Sequence, residues 1–438
     1  MNILFLTNRP TANTQAATVT EYLDALHKYS GHTVHEISML RHFPDLVDLD
    51  RFDVVITHYS LSLGPLLHHY LGPKLVERLK RYKGLKAAFL QDEYREIQTY
   101  WKHINELGID VLFSCVPGHE IAKVYPPDKV PKLRVENVLT GYVPERLVHQ
   151  EVLPVDQRPI DVGYRTRRMP FWLGRLGQEK WFIAEEFKRR AEGTGLKLDL
   201  STREGERLYG DAWSKFVASC RAVIGVESGA SIIDFDGKLE HRVEAYTSKY
   251  PDATFEEVSE KFLGPFEGSL NLHQISPRCF EAAALRTPMV LFEGEYSGVL
   301  TPERHFIVLK KDFSNFDEVI AKLRDHSFLQ AMADRTYAEI ALDSRWSYRA
   351  FIKQVDDILE EEVSRRATLE ASRPYTKAEF NRARRLSVNY YLRRKTALFM
   401  QSILLGMPFS RKSIFWLWEA LPRPLRRFAR PLARTVSR

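Results

Sequence analysis

Short, nearly continuous apolar runs separated by amphipathic stretches dominate the first 150 residues. Runs at 3–7, 54–57, 87–90, 111–114 and 135–139 predict strands buried on both faces. Segments 19–29 and 74–82, lying between them, are compatible with helices. This alternation argues for a parallel sheet wrapped by helices. After the polar, proline-bearing stretch 154–159 the pattern restarts. Strands are expected at 160–164, 197–200, 222–226, 289–292 and 306–309, with helices at 179–191, 212–219, 278–285 and 316–324. The fold class is therefore α/β, with two tandem Rossmann-like domains. Residues 1–153 form the first and 154–360 the second, with an insertion at about 232–270 and a basic, helical C-terminal tail over 361–438.

The most specific stretch is 277–298, PRCFEAAALRTPMVLFEGEYSG. Ala282, Ala283, Ala284 and Leu285 favour a helix that packs closely on a sheet, and Pro288 forbids its continuation. A buried strand and a Gly-punctuated acidic loop follow. In an open α/β sheet ligands lie beyond the carboxyl ends of strands, where helix N-termini offer free N–H groups, so residues 293–298 are an expected ligand loop.

This run resembles the nucleotide-sugar half of glycosyltransferases with the GT-B fold, the family 1/4-like group. Its second domain carries Glu, seven residues, Glu, then "EAMACGTPVV" and a Gly-rich loop. Glu281 aligns with the second glutamate, which in the family holds the nucleotide ribose hydroxyls, while the first falls on His273. Further anchors are RFDVVITH (51–58), AAFLQDEY (87–94), VENVLTGYVPERL (135–147) and DVGYR (161–165). Two departures are large: the insertion, and the replacement of the usual N-terminal Gly-rich loop by the glycine-free RPTANTQAA at 9–17.

The resemblance implies roles for particular residues. Transfer from a nucleotide sugar needs its departing diphosphate neutralised. Arg165 and Lys180 would clamp it, although Arg165 with Arg167 and Arg168 can equally be a solvated basic turn. Glu295 would meet sugar hydroxyls, beside Tyr296, Ser297 and Gly298 of the same loop. His273 could hydrogen-bond the sugar, and Glu227 and Ser228 border the nucleotide at a strand end. On the first domain Asp92 is the candidate base, with Glu93 behind it, or this is a polar strand-to-helix cap. Asp234 and Asp236 mimic an Asp-x-Asp metal motif, but a turn is the default, and no metal is assigned.

Charge changes the picture only when divided. Fifteen Lys and Arg face two acids between Lys377 and Arg438, a local charge of +13, so residues 1–376 carry −6 of the total +7. The pI near 9.1 is thus no sign of a nucleic-acid surface on the main body. Three scattered cysteines, Cys115, Cys220 and Cys279, with no CxxC and no nearby His at zinc spacing, argue against a disulfide framework or a structural metal and suit a reducing compartment. MNILFLTNRP reads as a first strand, not a signal peptide. The tail interleaves Arg with Phe415, Trp416 and Trp418 in apolar pieces too short to span a bilayer, which suits interfacial binding to an anionic membrane. Alternatives are an oligomer interface or docking on the first domain.

These readings converge on a glycosyltransferase moving sugar from a nucleotide-sugar donor, without a further cofactor, to a glycan or lipid-linked acceptor in cell-surface polysaccharide synthesis. It would work in the cytoplasm, peripheral at the inner membrane face. The alternatives are a non-catalytic nucleotide-sugar-binding scaffold and a GT-B-like nucleotide-sugar epimerase.

Overall fold

The computed structural model describes residues 1–9, 17–39, 42–366 and 373–387. Strands β1 (Asn2–Thr7), β2 (Thr33–Ser38), β3 (Val54–Thr57), β4 (Leu85–Leu90), β5 (Val111–Ser114) and β6 (Arg134–Asn137) form one sheet in the order β2-β1-β3-β4-β5-β6. Strands β7 (Ile160–Arg165), β8 (Leu198–Ser201), β9 (Cys220–Gly225), β10 (Met289–Phe292) and β11 (Ile307–Leu309) form a second, ordered β11-β10-β9-β7-β8. Every neighbouring pair is parallel. The two Rossmann-like domains expected from the alternation are therefore present. The sequence-based strand list lacks β2, a polar edge strand (TVHEIS) whose alternation is too weak to stand out.

Strand order locates the ligand side. In the second sheet the chain runs from β7 outward to β8 and then crosses to β9 on the other flank, so the switch point lies between β7 and β9. A crevice opens beyond their carboxyl ends, at Arg165 and Val226–Ser228. In the first sheet the equivalent reversal falls between β1 and β3.

Each sheet is covered on both faces by apolar side chains. One face of the first sheet is closed by Tyr348, Phe351, Ile352, Val355, Ile358 and Leu359 of the helix Tyr348–Ser364. The chain thus returns to the first domain, although the sequence reading assigns residues up to 360 to the second. The two crossings between domains run side by side, with the Val143 N–H donating to the Trp346 carbonyl at 2.9 Å.

Beyond residue 372 the expected tail divides. Tyr375 and Phe380 are buried in the first domain's core, against His35 and Phe52. Arg51 stacks on the Tyr375 ring at 3.6 Å and donates to the carbonyls of Arg373 and Pro374. A capping box, Thr376 with Glu379, starts the helix Lys377–Leu386. This part docks on the first domain, as one of the alternatives for the tail expects. Phe415, Trp416 and Trp418 lie outside the described residues, as do residues 10–16 of the first loop. No helix among the described residues is long and apolar enough to cross a membrane.

The insertion forms the helix Lys238–Lys249 and a short helical turn at Phe255–Val258, and it bridges to the first domain. The Asp234 N–H donates to the Tyr94 carbonyl at 2.9 Å, and Arg95 pairs with Glu240 at 2.6 Å. Asp234 itself accepts from the N–H groups of Gly237 and Glu240, and Asp236 pairs with Lys238. The Asp-x-Asp sequence is thus a helix-start turn.

Candidate active site

Three cavities between the domains share walls and make one cleft. The first is lined by Tyr59 and Gln91 of the first domain and by Arg165, Trp213, Arg278 and Glu281 of the second. Gln91 and Pro277 continue into the next, which holds Asp92, Lys180 and Ser228. Thr140 and Gln274 lead on to the third, of about 630 Å³, with Glu227, His273, Glu295 and Ser297. Residues scattered from position 59 to position 297 of the chain thus meet in one channel.

Glu281 sits one turn into the helix Pro277–Ala284, which Ser276 caps and Pro277 opens. Its carboxylate is 4% exposed and accepts the Trp213 indole N–H at 2.7 Å. Burial pushes the carboxyl up to about 7, and the Trp213 hydrogen bond opposes that shift. Its second oxygen makes no hydrogen bond among the described residues and belongs to a residue that lines the cleft. Such a group can accept from a ligand hydroxyl.

Arg278 stands in the first turn of the same helix, where the dipole disfavours a cation. Its guanidinium lies over the Trp213 ring at 4.9 Å and donates to the Arg165 carbonyl at 2.5 Å. Arg278 also lines the cleft beside Glu281. Sequence reasoning missed both Arg278 and Trp213; the signal for Arg278 was that unfavourable position.

Lys180, on the helix Gly174–Arg190, makes no hydrogen bond or salt bridge among the described residues. Burial lowers its ammonium to about 8, with Asp92 opposing and Arg278 and Arg167 reinforcing the shift. It is an uncommitted cation of the cleft among the described residues. Arg165 is more constrained than expected: it pairs with Asp199 at 2.8 Å, donates to the Tyr164 and Asp199 carbonyls, and stacks on Phe216. Its role in the geometry is to hold β7 to β8 beside the cleft.

Asp92 is exposed at the end of β4 with a left-handed φ of 62°, a strained position for a non-glycine residue. Glu93 is different. Its carboxylate is buried and accepts from Ser114 Oγ, the Cys115 N–H and Tyr125 Oη, while burial pushes it up to about 7. These bonds tie the end of β4 to β5, and Glu93 stands behind Asp92 in the wall of the same cavity.

At the far end Glu227 is 4% exposed and accepts from His273 Nδ1 at 2.8 Å and the Tyr296 N–H at 2.7 Å. The first contact fixes the His273 ring; the second pins the acidic loop. Ser228 contributes through its backbone, bridged to Gln274. The Tyr296 side chain is fully buried, with its O–H on the Phe292 carbonyl at 2.7 Å. Tyr296, Ser297 and Gly298 have φ of 46°, 55° and 71°, a run of left-handed residues that turns the loop sharply. Ser297 Oγ accepts the Ile275 N–H, and Glu295 and Gly298 are exposed.

No protein-family model matches this chain, and no curated protein sequence does. Among solved structures, T4 phage BGT in complex with UDP-glucose is 13% identical over 83% of this chain and 98% of its own, with a TM-score of 0.42. Anabaena HepE in complex with UDP and glucose is 10% identical over 82% and 99%, with a TM-score of 0.45. TarM is 11% identical over 72% of this chain, which spans 56% of that protein, at 0.38. Likeness of this degree assigns neither fold nor activity; the two-domain architecture rests on this chain's own sheets.

Proposed function

We propose that the chain is a glycosyltransferase whose interdomain cleft takes a nucleotide-sugar donor, with the nucleotide at the Glu281 end, the diphosphate at Lys180 and Arg278, and the sugar toward His273, Glu227 and Glu295. The observation that carries this reading is the buried Glu281 carboxylate facing a cleft that also holds an uncommitted lysine. A carboxylate suits paired ribose hydroxyls, and a lysine with no hydrogen-bond partner among the described residues suits a leaving diphosphate. In the transfer, the bond from the anomeric carbon to the diphosphate oxygen breaks and one to the acceptor oxygen forms. The acceptor proton passes to Asp92, which faces the same cavity as Lys180, or to the departing phosphate oxygen.

The acceptor in this proposal is a glycan or lipid-linked saccharide for cell-surface polysaccharide. Residues 388–438 hold the protein at an anionic membrane surface, peripheral on the cytoplasmic side, with no cofactor beyond the donor. The charge of that segment supports this part, with eleven Lys and Arg against Glu419. A calorimetric panel of sugar nucleotides, followed by product analysis with the best donor, tests the reading. Binding with a glycosylated acceptor is expected; an altered sugar nucleotide, or binding without turnover, would replace it by epimerisation or by a scaffold role.

A further inference from the structure

The first domain carries a set of metal-type donors that sugar transfer does not use. His68, on the short helix Leu67–Tyr70, and His103 with Glu106, on the helix Ile97–Leu107, each offer a ligand atom, and the three atoms lie within 4.8 Å of one another. His103 and Glu106 are three residues apart and so project from one helix face. His68 approaches from a separate element.

The tautomer of His103 is set by its surroundings. Nδ1 lies 2.8 Å from the Leu63 carbonyl, which can only accept, so Nδ1 carries the proton and Nε2 keeps its lone pair. A backbone carbonyl behind the imidazole is how ligating histidines are commonly oriented. Lys80 bonds Glu77 at 3.1 Å as well as Glu106 at 2.7 Å, so it keeps a partner when Glu106 turns to another cation.

We propose that His68, His103 and Glu106 bind a divalent cation of the zinc class, with water completing four-coordination, and that the ion staples the segment after β3 to the helix after β4. Two imidazoles and one carboxylate select Zn²⁺ over Mg²⁺ or Ca²⁺, which prefer all-oxygen sites. The same two segments are closely packed elsewhere: a Cβ on Gly64 would come within 2.5 Å of the Tyr100 ring. The ion's role is to stabilise the first domain, apart from sugar transfer.

The test uses the tag-free full-length chain, stripped with a chelator and titrated with Co²⁺ and then Zn²⁺. One equivalent of Co²⁺ should give the intense visible absorption of a low-coordinate ion, Zn²⁺ should displace it, and Zn²⁺ should raise the melting midpoint. His68→Ala and Glu106→Gln, with unchanged far-ultraviolet circular dichroism, should each weaken Zn²⁺ binding roughly tenfold or more. Absence of the cobalt band at one equivalent, or wild-type affinity in both variants, would overturn the site.

Discussion

Trp213 donates its indole N–H to the Glu281 carboxylate at 2.7 Å, joining two helices of the second domain at the mouth of the cleft. This bond leaves one carboxylate oxygen for a ligand and fixes its direction. Trp213→Phe should therefore weaken nucleotide-sugar binding by about 1–1.5 kcal/mol, and Glu281→Ala by about 1.5–3 kcal/mol, with the fold retained. Calorimetric titration reads both. Unchanged affinity in Glu281→Ala would remove the residue from the donor site.

Donor affinity should pass through a maximum between about pH 7 and pH 8. Glu281 ionises at about 7, and only the ionised form accepts from two hydroxyls, so affinity climbs as pH rises toward that value. Lys180 loses its proton at about 8, and with it the attraction for diphosphate, so affinity falls above that value. Glu281→Gln should flatten the acidic limb and Lys180→Arg the alkaline one. An alkaline limb that survives Lys180→Arg would take Lys180 away from the diphosphate.

Proton linkage also makes a stability statement about Glu281. Its carboxyl is raised from 4.5 to about 7 on folding, so the folded state holds the proton more tightly between those values. The stability this gives is present at low pH and is lost as pH rises through about 7. Glu281→Gln should therefore gain on the wild type by roughly 2–3 kcal/mol between pH 5 and pH 8, measured by urea unfolding at each pH. A constant difference across that range would mean the carboxyl titrates normally.

Much of this was legible in the sequence because buried parallel strands leave continuous apolar runs, as in β3, β5 and β10. Glu281 was legible because small residues and a Thr-Pro stop surround it. Its partner Trp213, 68 positions away, was not, because only tertiary packing brings the two together. The partners of Glu93 and Tyr296 are illegible for the same reason: the polar atoms of both are satisfied by residues the sequence does not mark as neighbours. Tyr375 and Phe380 were absorbed into a basic tail by the arginines around them, although Pro374 and the Thr376–Glu379 box signalled an ordinary helix start.

Gly294 is where backbone meets Glu227: an added Cβ would sit 2.5 Å from Glu227 Oε2. Gly294→Ala should push that carboxylate off His273 and the Tyr296 N–H, contacts worth about 1.5–3 kcal/mol each when charged. If the sugar lies at this end, kcat/KM for the donor should drop about 10- to 100-fold while the affinity for that donor's free nucleoside diphosphate stays within about twofold. An equal loss in both would place the nucleotide, not the sugar, beside this loop.

The tail yields the sharpest separation, because its two parts predict opposite outcomes on truncation. Ending the chain after Ser387 removes eleven Lys and Arg and one Glu, changes the net charge from +7 to −3, and leaves Tyr375 and Phe380 in the core. That protein should keep its melting temperature and donor affinity but lose sedimentation with anionic vesicles, whereas the full chain should release from them as salt rises. Ending after Ser372 instead strips two buried aromatic rings from the first domain, and Phe380→Ala alone should cost about 3–5 kcal/mol. That shorter protein should melt earlier or aggregate. Vesicle binding that persists after truncation at Ser387 would move the membrane contact to the main body and sink the role proposed for residues 388–438.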